Sequence, residues 1–295
     1  MAGIGRWATA FVVGGIVVAG LAGAGPAVAG GSAGRVAVKV APVRVGPMVP
    51  APSDPGITAG TADTQPVVLS ANWSGYAATT TSAAKFDSVQ GDFVQPAVVC
   101  NGVSARFVAV WTGLDGYRDQ TVEQDGTFAT CGGAGHETPV YFAWYEMYPS
   151  NSVNVFPVSA GDDIQTGVSY ADGMFTLTVA DTTTDQSKSY TAACRSCRRT
   201  SAEWIVERPE LCTSKGKCFL STLPDFTSAS PTADTAGTDV SAPGPVSAFT
   251  NIPIDMVQPK GQSVSLLTQT GVLDPTGEIF TTTWERTGRR LPLSG

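Results

Sequence analysis

The chain has 295 residues, of which only 15% are charged: 18 Lys and Arg stand against 25 Asp and Glu, a formal net charge of −7. Residues 1–66 hold four of the basic and two of the acidic residues, so residues 67–295 carry a net −9. That balance excludes nucleic acid as a partner, because phosphate binding needs a basic surface. It suits a protein working in acid, where protonation relieves repulsion among carboxylates.

Residues 1–29 read as a secretory signal peptide. Arg6 supplies the positive start, an apolar run from about Ala8 to Ala24 follows, and Ala27-Val28-Ala29 offers small residues for cleavage. No other stretch is apolar enough to span a bilayer, so a secreted, extracellular protein with no membrane association after signal removal is expected. Residues 30–66 contain Pro42, Pro47, Pro50, Pro52, Pro55 and Pro66 and no aromatic residue, the texture of a linker or pro-segment. Were it a pro-segment, Arg35, Lys39 and Arg44 could neutralise an acidic cleft.

Residues 67–295 are long enough for one well-buried domain. Strand signals dominate from Val67–Leu69 through Phe86–Phe93, Ala105–Thr112, Val140–Tyr148, Ile164–Tyr170, Met174–Ala180, Ser189–Ala192, Ala202–Glu207, Phe249–Ile254 and Ser263–Thr268 to Ile279–Trp284. Tyr170-Ala-Asp-Gly-Met174 carries an Asp-Gly hairpin signal. The Ser/Thr/Ala/Pro-rich stretch 227–246 reads as a long surface loop. Helix is minor, since no segment holds a 3.6-residue apolar period for three turns. The fold class is therefore all-β, a sandwich or a barrel of antiparallel strands.

Six cysteines, an even count in an exported chain, favour disulfides. Cys212–Cys218 forms a small loop with Gly216 at its turn, and Cys100 with Cys131 and Cys194 with Cys197 complete the set most simply. The rival is a zinc site from Cys194-x-x-Cys197 with Cys212 and Cys218, whose second pair is too widely spaced for a usual zinc knuckle.

Carboxylates recur on strand faces. Alternation sends Glu203, Ile205 and Glu207 one way and Trp204 and Val206 the other. In the aromatic strand Tyr141–Tyr148, Glu146 shares a face with Phe142, Trp144 and Tyr148. In Thr121–Gly126, Val122 and Gln124 share one face and Glu123 takes the other. Trp111, Gly113 and Asp115 share a face if their strand persists that far. Asn72-Trp-Ser74 is a glycosylation sequon as well as a strand-like box. His136, the one histidine, cannot serve both a metal cluster and a Ser-His-Asp triad, and no Gly-x-Ser-x-Gly is present. Serine and zinc hydrolases are disfavoured, and neither metal nor cofactor is expected.

The ordered boxes Asn72-Trp-Ser-Gly-Tyr76, Trp111-Thr-Gly-Leu-Asp-Gly116, Gln124-Asp-Gly126, Ala143-Trp-Tyr-Glu-Met-Tyr-Pro149 and Ala202-Glu-Trp-Ile-Val-Glu207 resemble the glutamic peptidases, the eqolisin family. The match spans about residues 70–290. The resemblance implies a secreted, acid-active endopeptidase built as a β-sandwich of two large antiparallel sheets, acting on protein or peptide substrates. It implies Gln124 and Glu207 as the catalytic pair, with Trp111, Asp115 and Glu146 in the cleft around them; Tyr145 and Glu203 complete the expected substrate-binding set. The Cys212–Cys218 loop is similar to the family's small disulfide loop after the catalytic Glu. The short, Pro-rich segment before the domain and the cysteines at 100, 131, 194 and 197 depart from the fungal pattern. Nothing in the chain calls for an obligate partner, so a monomer is expected. Two other readings fit the isolated motifs: a carbohydrate-binding sandwich stacking sugars on Trp111, Trp144 and Tyr148, and a glycoside hydrolase using Glu146 and Glu207, whose carboxyl spacing would set its stereochemistry.

Overall fold

The computed structural model describes residues 67–292, apart from 81–82, 102–104, 133–137, 213–216 and 261–262. The stretches read as a signal peptide and a linker or pro-segment, and His136, lie outside the described residues.

The described residues form two large sheets and a small one. The larger sheet contains β1 (Val68–Ser70), β2 (Trp73–Thr79), β4 (Ala105–Leu114), β5 (Val122–Gly132), β6 (Val140–Tyr148), β7 (Val153–Val158) and β11 (Ser201–Glu207). It is completed by β14 (Ser228–Ala229), β17 (Thr250–Lys260), β18 (Ser263–Thr270) and β19 (Thr282–Trp284). Its order is β14-β19-β18-β17-β2-β11-β4-β5-β6-β7, with β1 parallel to β17. The six-stranded sheet contains β3 (Phe86–Val94), β8 (Asp163–Ala171), β9 (Met174–Asp181), β10 (Gln186–Ala193), β15 (Thr232–Thr238) and β16 (Ser241–Pro245), in the order β10-β9-β8-β3-β15-β16. A third sheet joins β12 (Glu210–Cys212), β13 (Cys218–Leu220) and β20 (Leu291–Pro292). The all-β sandwich is thus confirmed.

The hairpin at Asp172-Gly173 forms as its sequence dictates. Both residues have positive φ, 52° and 83°, the conformation a tight two-residue turn between twisted strands requires. The stretch 227–246 is not a surface loop. It supplies β14, β15 and β16, and β15 pairs with β3. Its small residues hide it from a pattern search, because Thr232-Ala-Asp-Thr-Ala-Gly-Thr238 shows little apolar alternation although Asp234 and Ala236 are buried.

Alternation gives the larger sheet two different faces. The inner face packs Val108, Val110, Leu114, Ala143, Ala202, Trp204 and Val206 against residues of the six-stranded sheet such as Phe93, Ile164, Val168 and Leu177. Polar ties cross the same layer. Trp204 Nε1 donates to the Gln90 carbonyl at 2.7 Å, Gly167 N donates to Asp125 Oδ1 at 3.0 Å, and Thr112 Oγ1 donates to Thr166 Oγ1 at 3.0 Å. The opposite face carries a second apolar cluster, Trp73, Phe107, Ala109, Trp111, Phe128, Trp144 and Ile205 among others.

Candidate active site

Three adjacent register rows cross β2, β11, β4, β5 and β6 on the face turned away from the six-stranded sheet. The first is Trp73–Glu207–Ala109–Phe128–Phe142, the second Gly75–Ile205–Trp111–Gly126–Trp144, and the third Ala77–Glu203–Gly113–Gln124–Glu146. Paired residues on neighbouring strands share a face, so Glu207, Trp111, Gln124, Glu146 and Glu203 all belong to one surface. These are five of the seven residues expected from the sequence.

Trp111 occupies the middle row and reaches both outer ones. Its Nε1–H donates to Glu207 Oε2 at 2.9 Å. Its ring lies over Gly113, where an added Cβ would come within 3.0 Å of both Trp111 Cζ3 and Gln124 Cβ. Gly126, opposite Trp111, is equally constrained, since a Cβ there would lie 2.6 Å from Trp111 Cβ. Two glycines on neighbouring strands therefore make the bed for this indole. Trp73 meets it edge-on, with ring centroids 5.0 Å apart.

Glu207 is fully buried. Besides the indole, it accepts Asn72 Nδ2–H on Oε1 at 3.2 Å. Asn72 is itself held by Ser70, whose hydroxyl donates to Asn72 Oδ1 at 3.2 Å and accepts the Asn72 and Trp73 backbone N–H groups at 3.3 and 3.1 Å. Burial pushes the Glu207 carboxyl well above the ordinary glutamate range; the Trp111 and Asn72 donors oppose that rise, and the Glu146 charge adds to it. On the far side of Trp111, Gln124 Nε2–H donates to Glu146 Oε2 at 2.7 Å. The amide of Gln124 is thereby oriented, and Glu146 is close enough to Glu207 for its charge to oppose the ionisation of Glu207.

Asn72 is buried and bonded to Glu207, which leaves no room for a glycan at the sequon. Its part in orienting Glu207 has no signal in the sequence, because the two are 135 residues apart and meet only through the pairing of β2 with β11.

The remaining expected residues fall elsewhere. β4 ends at Leu114, and Asp115 turns away with φ of 69°. Its carboxylate accepts the backbone N–H groups of Arg198, Arg199 and Thr200 at 2.7, 2.7 and 2.6 Å, pinning that loop to the end of β4. Tyr145 lies on the inner face, stacked on Tyr190 with centroids 4.4 Å apart. Glu203 belongs to the third row, yet Asp115, Asp119 and Glu123 are among the charges that raise its pKa, after burial itself. The six cysteines form three disulfides, Cys100–Cys131, Cys194–Cys197 and Cys212–Cys218.

A β-sandwich that gathers carboxyls, an amide and indole donors on one sheet face has the make-up of a hydrolase. Comparison with known proteins gives the class: the Peptidase A4 family model matches residues 71–279, and the chain belongs to that family. Among solved structures it is similar to Scytalido-glutamic peptidase bound to a peptide-based transition state analogue, with 25% identity and a TM-score of 0.61 over 73% of this chain and 98% of that one. It also resembles SCP-B, a member of the eqolisin family of peptidases in complex with the tripeptide Ala-Ile-His, at 23% identity and a TM-score of 0.59 over the same shares. No curated protein sequence matches. The protein is a glutamic-type peptidase, which sets aside the glycan-binding and glycoside-hydrolase readings.

Proposed function

We propose that this peptidase is a secreted, acid-active endopeptidase that cleaves with Glu207 and Gln124. The observation that carries the reading is the pair of donors on Glu207, Trp111 Nε1 on one oxygen and Asn72 Nδ2 on the other, with the amide of Gln124 across the same indole. Both donors fix the carboxylate in place and oppose the rise in pKa that burial brings, so they favour the ionised form a base needs. Glu207 takes a proton from the attacking water and passes it to the departing amine; such transfer is worth roughly 10²–10⁴-fold. Gln124, its amide held by Glu146, directs N–H toward the tetrahedral oxyanion, worth roughly 3 kcal/mol. The transition state analogue bound by Scytalido-glutamic peptidase is consistent with a site shaped for that intermediate.

The test is digestion of denatured casein in acid by the wild type, Glu207→Gln and Gln124→Ala. Both variants should fold and lose cleavage. Full activity in either would remove that residue from the reaction.

A further inference from the structure

Arg208, the residue after Glu207, is fully buried, and among the described residues its guanidinium bonds to main-chain carbonyls alone. Nε donates to the Ala71 carbonyl at 2.6 Å and Nη1 to the Arg289 carbonyl at 3.3 Å, while Nη2 has no partner there. Taking a guanidinium out of water with no counter-charge is costly. Burial lowers its pKa to about 10, which leaves it ionised throughout the acid range.

The guanidinium and the main chain of Arg208 hold the turn Ser70–Trp73. The Arg208 backbone N–H donates to the Asn72 carbonyl at 3.0 Å, one step beyond the Glu207–Trp73 pair that ends the β11–β2 ladder. From the other side, the Ser70 hydroxyl accepts the Asn72 and Trp73 backbone N–H groups and donates to Asn72 Oδ1. The turn is thus clamped twice. The Asn72 carboxamide is left with its oxygen on Ser70 and its Nδ2–H on Glu207 Oε1 at 3.2 Å. A closed ring of contacts results. The chain joins Glu207 to Arg208, hydrogen bonds join Arg208 to Ala71 and Asn72, and the Asn72 side chain returns to Glu207. The guanidinium makes no bond to Glu207, so it reaches the carboxyl only through Asn72.

The other end of β11 shows why a cation suits this task. There Asp115 holds the Arg198–Thr200 backbone by accepting three N–H groups. Burial, followed by the Asp119 charge, raises the Asp115 pKa, so that clamp weakens early as the carboxylate takes up a proton in acid. An arginine bonded to carbonyls has nothing to protonate, and its bonds persist.

Resting on the reading of Glu207 as the base, we propose that Arg208 is a positioning residue for the peptidase reaction. Through the Ala71 and Asn72 carbonyls it fixes the turn that aims Asn72 at Glu207, and it does so at every acidic pH. Being fully buried, it touches no substrate.

Steady-state kinetics on one peptide substrate across the acid range test this, with the full-length wild type, Arg208→Met, Asn72→Ala and the double variant. Arg208→Met keeps an unbranched stem and removes the donors. Its kcat should fall about tenfold, the value of one hydrogen bond to a charged group, with KM within about twofold. Losing the Asn72 donor favours protonated Glu207, so the rising acid limb of the kcat profile should move to higher pH, as it should in Asn72→Ala. Glu146, whose charge faces Glu207, is untouched in both. In the Asn72→Ala background, Arg208→Met should lower kcat by less than about a further twofold. Losses that multiply, or a limb that stays in place, would overturn the role and leave Arg208 as packing. Should Arg208→Met fail to fold, Arg208→Lys supplies the second measurement. It keeps the charge without the planar fork, so kcat should fall about threefold with a smaller shift of the limb. Wild-type kcat and limb in Arg208→Lys would overturn the clamp. Full activity in Glu207→Gln would instead remove the base itself, a failure of the peptidase mechanism distinct from any outcome at Arg208.

Discussion

The two ends of β11 present the same residue type in opposite circumstances. At one end Glu207 has a donor on each oxygen, an indole and an amide, both fixed by their own neighbours. At the other, Glu203 is equally buried, yet among the described residues no donor stands in hydrogen-bond geometry on either of its oxygens, and Glu123 nearby is buried as well. Ser201 lies close enough to Glu203 to temper its pKa without making a bond. Burial alone turns a carboxyl into a neutral, inert acid; burial with oriented donors turns it into a usable base. The difference between the two ends is the donor set.

The largest effect should come from removing the carboxylate at the donor-rich end. Glu207→Gln is expected to lower kcat/KM by at least about 10³-fold, while Glu203→Gln leaves most of the activity. Equal losses in the two variants, measured on one peptide substrate, would erase the distinction between the ends.

Next in size is the pH dependence of stability contributed by the donor-poor end. Glu123 is neutral in the fold up to about 10, against an ordinary value of 4.5 for the unfolded chain. Its contribution is therefore fully present below about 4.5 and is lost progressively as the pH rises toward about 10. At pH 7 that loss is about 3 kcal/mol. Asp125, Glu203, Glu207 and Asp234 are shifted in the same direction by burial, so each adds to the trend. Urea unfolding should give the highest midpoint in acid, and Glu123→Gln should raise the midpoint at pH 7 but not at pH 3. A midpoint that climbs from pH 4 to pH 7 would contradict this account. On this account acid would favour the fold through its buried carboxyls as well as through its surface charge.

Much of this was legible in the sequence, and the missing part has one cause. Alternation alone placed Gln124 opposite in face to Glu123, and Glu207 with Glu203, because the period of a strand is fixed by its backbone. What alternation leaves open is register between strands distant in the chain. The rows that set Trp111 between Glu207 and Gln124, and that bring Asn72 to Glu207, depend on four pairings no local pattern encodes. The fate of Asp115 was hidden for a related reason. Whether β4 continued past Leu114 depended on the Arg198–Thr200 backbone, whose N–H groups draw that carboxylate out of line. Tyr145 stood in the expected binding set beside Glu146, but it is the next residue of the same strand, and adjacency in a strand means opposite faces.

Trp111→Phe isolates the donor from the packing. It keeps most of the ring on Gly113 and Gly126 but deletes the Nε1–H bond to Glu207. With one donor gone, the Glu207 pKa moves further up, so the rising acid limb of the kcat profile should shift to higher pH. The loss in kcat/KM should be about 10-fold, the value of one hydrogen bond to a charged group. A loss with no shift of the limb would assign Trp111 to packing alone.

The smallest effect belongs to the other face. Tyr145 stacks on Tyr190 of the six-stranded sheet, and the β6 backbone separates it from Glu146 and Trp144. Tyr145→Phe keeps that stacking and removes only a hydroxyl, so kcat/KM should change by less than about twofold, within the usual range of a neutral surface substitution. A change of tenfold or more would mean that substrate reaches around the sheet edge, and the division of the molecule into a chemical face and a packing face would fail with it.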